Sequence, residues 1–153
     1  METMTGTPKQ IEWAQEIRGR LLPEIERVKA AAVAMLARVD AVADEDLELY
    51  EDTRDGLRED LERAVAVLDA AARCADAEAW IEYVRNVDPA TDAAAFGWPE
   101  RFGGVVARLA QNAPGVTTGS PLAQTQHNAS VVAQVVSGSL AELYPVLVGG
   151  EAE

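Results

Sequence analysis

The sequence is poor in the residues on which most catalytic and metal sites depend, since its 153 residues include one cysteine and one histidine. A lone Cys74 cannot form an intramolecular disulfide, which fits a reducing compartment. One Cys and one His cannot supply a four-ligand zinc site, and no motif pairs His127 with a nucleophile. We therefore expect a core thiol, a surface imidazole, no catalytic residues, no metal and no cofactor.

Long apolar runs and an excess of basic residues are also missing. No stretch reaches the roughly 20 apolar residues that a membrane helix requires, and the first ten residues, METMTGTPKQ, lack the apolar core of a signal peptide. The chain has 26 acidic against 13 basic residues, and its net charge of -13 repels phosphate backbones and anionic membranes. These absences predict a cytoplasmic protein that binds neither nucleic acid nor membranes directly and whose partners are neutral or basic.

Apolar residues recur three or four positions apart through most of the chain, the period of an amphipathic helix. Two long runs of this kind are separated by a short acidic stretch, which predicts an antiparallel helical hairpin. The fold class is therefore all-α, a helical bundle made of this hairpin, short helices and a C-terminal helix. We expect one domain over residues 6–148, with the hairpin and the Trp80 helix in 6–86, a connector with a short helix in 87–121, and the C-terminal helix in 122–148.

The start of the first helix has a local signature. Thr7, Pro8 and Gln10 form a capping-box pattern with proline at the first helical position. The same turn could instead hold a phosphate on its free N–H groups, although the chain lacks the spacing of a Walker loop. Further along, an interior Pro23 predicts a kink or a break near Leu21.

Later helices are predicted from similar signals. Asp44 and Asp76 are placed to cap the second and third helices, and a further short helix is expected to begin at Pro99. Ser120 followed by Pro121 repeats the cap-then-proline signature before a last helix of about 25 residues.

Two features indicate interaction surfaces. Between Arg108 and Glu142 no residue is charged, apart from a possible charge on His127, and an apolar stripe in this region packs on the rest of the chain or on a second subunit. The stripe includes Val132, Val136, Leu140 and Leu143. Trp13 and Trp80 belong either to the core or to an interaction surface, and the antiparallel hairpin is expected to bring them together. The preferred interpretation is a helical accessory or protein-interaction protein without enzymatic activity, either oligomeric or partner-binding.

Two alternatives remain open. Residues 39–62 carry eleven acids against Arg54 and Arg58 alone, an array that could imitate DNA and inhibit a nucleic-acid-binding protein. Its candidate residues are Asp52, Asp55, Glu59 and Asp60. Alternatively, Glu48 and Glu51 supply the first half of the magnesium site of all-α nucleotide pyrophosphohydrolases, but no Glu-x-x-Asp follows at a suitable distance.

Two segments, TGTPKQIEWAQEIR at 5–18 and ADAEAWIEYVRN at 75–86, resemble a group of small bacterial, phage and plasmid proteins. That group has a Gly-Ser/Thr-x-Lys-Gln-x-x-Trp-Ala-x-x-Ile-Arg motif and a later Asp-Ala-x-x-Trp-Ile segment. The shared positions are Gly6, Lys9, Gln10, Trp13, Ala14, Ile17, Arg18, Asp76, Ala77, Trp80 and Ile81. The chain departs from the group at Ala79 and at Tyr83-Val84, where a second aromatic and an Asn-Arg pair are expected. The resemblance implies a helical accessory protein of a phage or mobile element and no mechanism.

Overall fold

The helices of the protein account for most of its described chain. A computed structural model describes residues 4–41 and 53–138. The elements are α1 Pro8–Ala41, α2 Thr53–Arg73, α3 Ala77–Val84, α4 Pro89–Asp92, α5 Trp98–Gln111, a 3-10 turn Pro121–Ala123 and α6 Thr125–Ser137. Within these residues the only β-type pairing is an isolated bridge between Thr5 and Asp76. The prediction of an all-α helical bundle is confirmed.

The first two helices form the antiparallel hairpin that the apolar periodicity predicts. Arg18 Nη2 donates to the carbonyl of Ala72 at 2.7 Å near one end, and Arg54 near the start of α2 donates to the carbonyl of Val39. One face of each helix is buried in the shared core. On α1 the fully buried side chains include Ala14, Ile17, Leu21, Ile25, Ala32 and Val39, and on α2 they include Leu61, Ala64, Leu68 and Ala71. The connection between the helices, with the expected cap Asp44, lies outside the described residues.

Helix α1 continues through Pro23, so of the kink or break predicted near Leu21 the break does not occur. Pro23 lies on the exposed face, whereas Leu21 and Ile25 are fully buried on the other face. The carbonyl of Gly19, which the proline leaves without its helical donor, is therefore placed on the solvent side, where water can satisfy it. Burial of the apolar face holds the helix together on both sides of the proline.

The segment expected as a connector contains a core helix. Helix α5 begins at Trp98, one residue before the predicted Pro99, and buries eight of its residues. It packs mainly on α6 and α2. At its closest approach to α6, a Cβ on Gly103 would overlap the carbonyl oxygen of Ala129 and lie 3.3 Å from the amide nitrogen of Ala133. The glycine that weakens this helix as an isolated segment thus permits its packing.

The last described helix is shorter than predicted. Ser120 Oγ accepts from the amide of Leu122 at 3.1 Å, but this cap starts a 3-10 turn, and Gln124 (φ -83, ψ 71) separates the turn from α6. The helix ends at Gly138, whose φ of 79° is left-handed. Val132 is buried and Val136 is half-buried in the core of the same chain, while Leu140 and Leu143 lie outside the described residues. Among the described residues no helix has the length and apolar character to cross a membrane.

Candidate functional site

Trp80 is a core residue whose side chain contacts Cys74 and Arg18. Its side chain has no exposed surface, and its Nε1 donates to the carbonyl of Cys74 at 2.9 Å. The guanidinium of Arg18 lies 6.0 Å from the ring centroid, within the range of a cation–π contact. The same guanidinium donates to the carbonyl of Ala72, so Arg18 joins α1 to the end of α2 and to α3.

Trp13 lies in a different environment. It is 46% exposed, whereas Trp80 is fully buried, because the two residues occupy different faces of their helices. Within the described part of the chain, the expected contact between the Trp13 and Trp80 rings does not form. The aromatic pair in contact there is Trp98 with Phe102, whose ring centroids lie 5.4 Å apart. Of the two tryptophans that the sequence proposed for an interaction surface, only Trp13 is accessible to a partner.

The two segments that carry the family resemblance meet in space. Thr5 donates its amide to the carbonyl of Ala75 at 2.8 Å, and Ala77 donates its amide to the carbonyl of Thr5 at 3.0 Å. Gly6 has a φ of +140°, and a Cβ there would lie 3.1 Å from the Cβ of Ala77. We call this contact of residues 4–7 with residues 75–77 the N-terminal clasp. It shows a structural use for several of the shared positions.

The capping box at the start of α1 is confirmed. The amide of Thr7 donates to Gln10 Oε1 at 2.9 Å, and the amide of Gln10 donates to Thr7 Oγ1 at 3.1 Å. Both N–H groups are therefore used by side chains of the same turn. This arrangement favours capping over phosphate binding at the helix start.

A cavity of about 540 Å³ lies between the N-terminal clasp and the end of α2. Arg18, Arg73 and Gln15 contribute its polar groups, and Met4 and Cys74 contribute to its apolar wall together with two alanines. The Cys74 thiol is 2% exposed, and desolvation by burial raises its pKa to about 11. At neutral pH this thiol keeps its proton, as a core thiol does, and provides no thiolate for nucleophilic attack.

Among the described side chains near this cavity, Lys29 and Arg73 bond to a carboxylate, whereas Arg18 does not. Asp69 accepts from Lys29 at 3.2 Å and from Arg73 Nε at 3.1 Å. Burial raises the pKa of Asp69, but the hydrogen bonds from Lys29 and Arg73 outweigh burial, so the pKa of this carboxyl is lowered overall. Arg18 forms its hydrogen bond with a backbone carbonyl and not with a carboxylate. The sequence did not single out Arg18 or Arg73 as site residues, because the two come together only through the hairpin.

The acidic candidates are interspersed with arginines. Asp55 and Glu59 are exposed on α2 and Asp60 is half-buried, while Asp55 pairs with Arg58 at 3.1 Å. Asp52, Glu48 and Glu51 lie outside the described residues. Among the described residues, no three His, Cys, Asp or Glu side chains are grouped closely enough to hold a metal ion.

A buried polar cluster, also missed by the sequence, joins α6 to α2. Asn128 is fully buried, its Oδ1 accepts from Arg63 Nη1 at 3.0 Å, and its Nδ2 donates to the carbonyl of Pro121 at 3.0 Å. Arg63 also donates to Gln124 Oε1 at 3.1 Å. Neighbouring His127 is exposed, as expected of a surface imidazole. The uncharged helix α6 is thus fixed on its own chain by hydrogen bonds as well as by apolar packing.

Large apolar side chains on the surface of the described part are Trp13, Val33 and Phe96, and Phe96 in the loop before α5 is fully exposed.

No family model, curated protein or solved structure matches the chain. Its function is therefore inferred from its own side chains.

Proposed function

We propose that the protein is a small cytoplasmic accessory protein that acts by binding a protein partner, either a second copy of itself or another protein, and not by catalysis. The observation that carries this proposal is the exposure of Trp13 and Phe96. Protein interfaces are enriched in aromatic residues, and truncating a tryptophan at an interface often costs more binding energy than truncating most other side chains.

Exposure of these two side chains is selective. The chain has three tryptophans and two phenylalanines, and the other three of them, Trp80, Trp98 and Phe102, are at most 4% exposed. Moving an exposed phenylalanine from water into an interface contributes about 1.5–3 kcal/mol. Trp13 and Phe96 are thus the described positions at which a partner would gain most from covering apolar surface.

The position of α6 argues against the subunit interface that was expected at Val132. Val132 packs in the core of its own chain, so it is not available to a second subunit. The net charge of -13 disfavours acidic partners and favours a neutral or basic protein. The interspersed arginines of α2 give less support to an imitation of DNA, since they interrupt the run of negative charge.

A photo-cross-linking phenylalanine analogue placed at residue 96 tests the proposal in host cells. We expect irradiation to yield a cross-linked species of defined mass. The same analogue at Arg85, which is exposed and follows α3, serves as the control and should yield little of that species. Equal cross-linking from both positions, or none from residue 96, would contradict partner binding at Phe96.

A further inference from the structure

The cavity beside the N-terminal clasp combines features that do not depend on partner binding. It is bordered by Arg18 and Arg73 in a chain whose net charge is strongly negative. Each guanidinium has five N–H donors. Arg18 uses Nη2 on a backbone carbonyl, and Arg73 uses Nε on Asp69, so both retain donors for a further acceptor.

We propose that this cavity binds an organic carboxylate, with its charged group between Arg18 and Arg73 and its apolar part against Met4, Ala72 and Cys74. Guanidinium groups match the geometry of carboxylates and form charge-assisted hydrogen bonds with them. This inference is separate from the proposed partner-binding function, because Trp13 and Phe96 do not line the cavity.

The balance of local charges selects a ligand with a single negative charge. Asp69 accepts from both Lys29 and Arg73, and Asp76 and Arg18 both act electrostatically on the Cys74 thiol, so three cationic side chains stand against two carboxylates around the cavity. Asp76 Oδ1 also accepts from the amide of Glu78 at 3.0 Å, which directs this carboxylate toward α3. One positive charge therefore remains for the ligand, which favours a carboxylate over a doubly charged phosphate.

The size and wall of the cavity indicate the rest of the ligand. A volume of about 540 Å³ is typical of sites for small organic molecules and exceeds what a bare ion fills. The Cys74 thiol is protonated at neutral pH and adds no repulsive charge. Arg18 is also held in place by the ring of Trp80, so binding does not have to order a free side chain.

Titration of the full chain with N-acetyl-leucine tests this site. We expect saturable shifts of the arginine Nε–Hε signals in NMR spectra, and no such shifts with the uncharged N-acetyl-leucinamide. The Arg73→Gln variant should bind the acid at least about tenfold more weakly, as expected for the loss of a charge-assisted hydrogen bond. Arg20→Gln, on the exposed side of α1, is the matched control and should bind like the wild type.

A leucine-terminated tetrapeptide distinguishes two sources of the carboxylate. Tighter binding of the free-acid peptide than of N-acetyl-leucine would identify the C-terminus of a protein, and equal binding would identify a free small acid. Equal binding of the acid and the amide, or unchanged binding in Arg73→Gln, would overturn the site. Arg18→Lys provides a second variant that keeps the charge and loses the planar fork, and it should weaken binding without abolishing folding.

Discussion

At the scale of single residues, Gly103 sets the distance between α5 and α6. We expect Gly103→Ala to lower the free energy of unfolding by about 2 kcal/mol, because the added methyl group would overlap the Ala129 carbonyl. Gly104 has open space at the same position, so Gly104→Ala should raise stability by up to about 1 kcal/mol through helix propensity. Urea unfolding measures both. Equal stability of the two variants would show that the helices do not cross closely at Gly103.

Cys74 makes stability depend on pH at the alkaline end. The folded thiol has a pKa of about 11, raised from the ordinary value of 9.0 by burial. Between these values the unfolded chain releases the proton and the folded chain retains it, so stability is full below pH 9 and falls as the pH rises toward 11. We expect a loss of up to about 2 kcal/mol. Cys74→Ala should remove this part of the pH dependence, and an identical slope in both proteins would contradict a buried thiol.

At the scale of helices, the apolar period and the caps predicted most of the architecture. Ile17, Leu21 and Ile25 are fully buried as their spacing predicted, and Thr7 and Asp76 cap the helices that follow them. Helix α1 has no break at Pro23 because the proline lies on the exposed face, which local propensity does not determine. The length of α6 depends on the backbone at Gln124 and on the left-handed Gly138, where the helix stops.

The candidate site was harder to predict than the helices. Trp13 and Trp80 both lie on amphipathic helices, yet their exposure differs. Trp80 lies on the face of its helix that packs in the core, whereas Trp13 lies on a face that is partly open to solvent. Arg18 and Arg73 are 55 positions apart and border one cavity only after the hairpin forms. A sequence pattern records spacing along one helix, whereas a cavity depends on contacts between helices.

Pro23 supplies a prediction for α1 as a whole. Pro23→Ala should raise the free energy of unfolding by about 2 kcal/mol, because alanine restores an N–H donor for the Gly19 carbonyl and relieves the contact of the ring with the preceding turn. Ala30→Pro, at another exposed position of the same helix, should destabilise the protein and serves as the comparison. Urea unfolding measures the free energy of unfolding of both variants against the wild type. A loss of stability in Pro23→Ala would indicate that the proline is required where it stands.

At the scale of the molecule, α6 closes the core formed by the other helices. It packs on α5 and α2, and Asn128 bonds to Arg63. Truncation after Gln111 should therefore expose apolar surface and increase the binding of a hydrophobic dye, even in a monomer. A truncated chain with unchanged dye binding and cooperative unfolding would show that α6 does not complete this core.

The exposed aromatic residues Trp13 and Phe96 and the acidic residues of α2 can be tested separately. Asp55→Asn, Glu59→Gln and Asp60→Asn together should leave association intact if Trp13 and Phe96 carry it. Loss of association in this triple variant, with folding preserved, would instead favour the DNA-mimic alternative. Trp13→Gln with Phe96→Ser should show the opposite pattern, since Trp13 is 46% exposed and Phe96 is fully exposed.

The most direct measurement is light scattering on a size-exclusion column, at two ionic strengths, alone and with nuclease-treated host extract. We predict that the wild type exceeds its monomer mass of 16.4 kDa in at least one of these conditions. The Trp13→Gln, Phe96→Ser variant should elute as a folded monomer in all of them. A wild type that stays monomeric throughout, or a variant that associates as the wild type does, would contradict the proposal that this protein acts by binding a partner through its exposed aromatic residues.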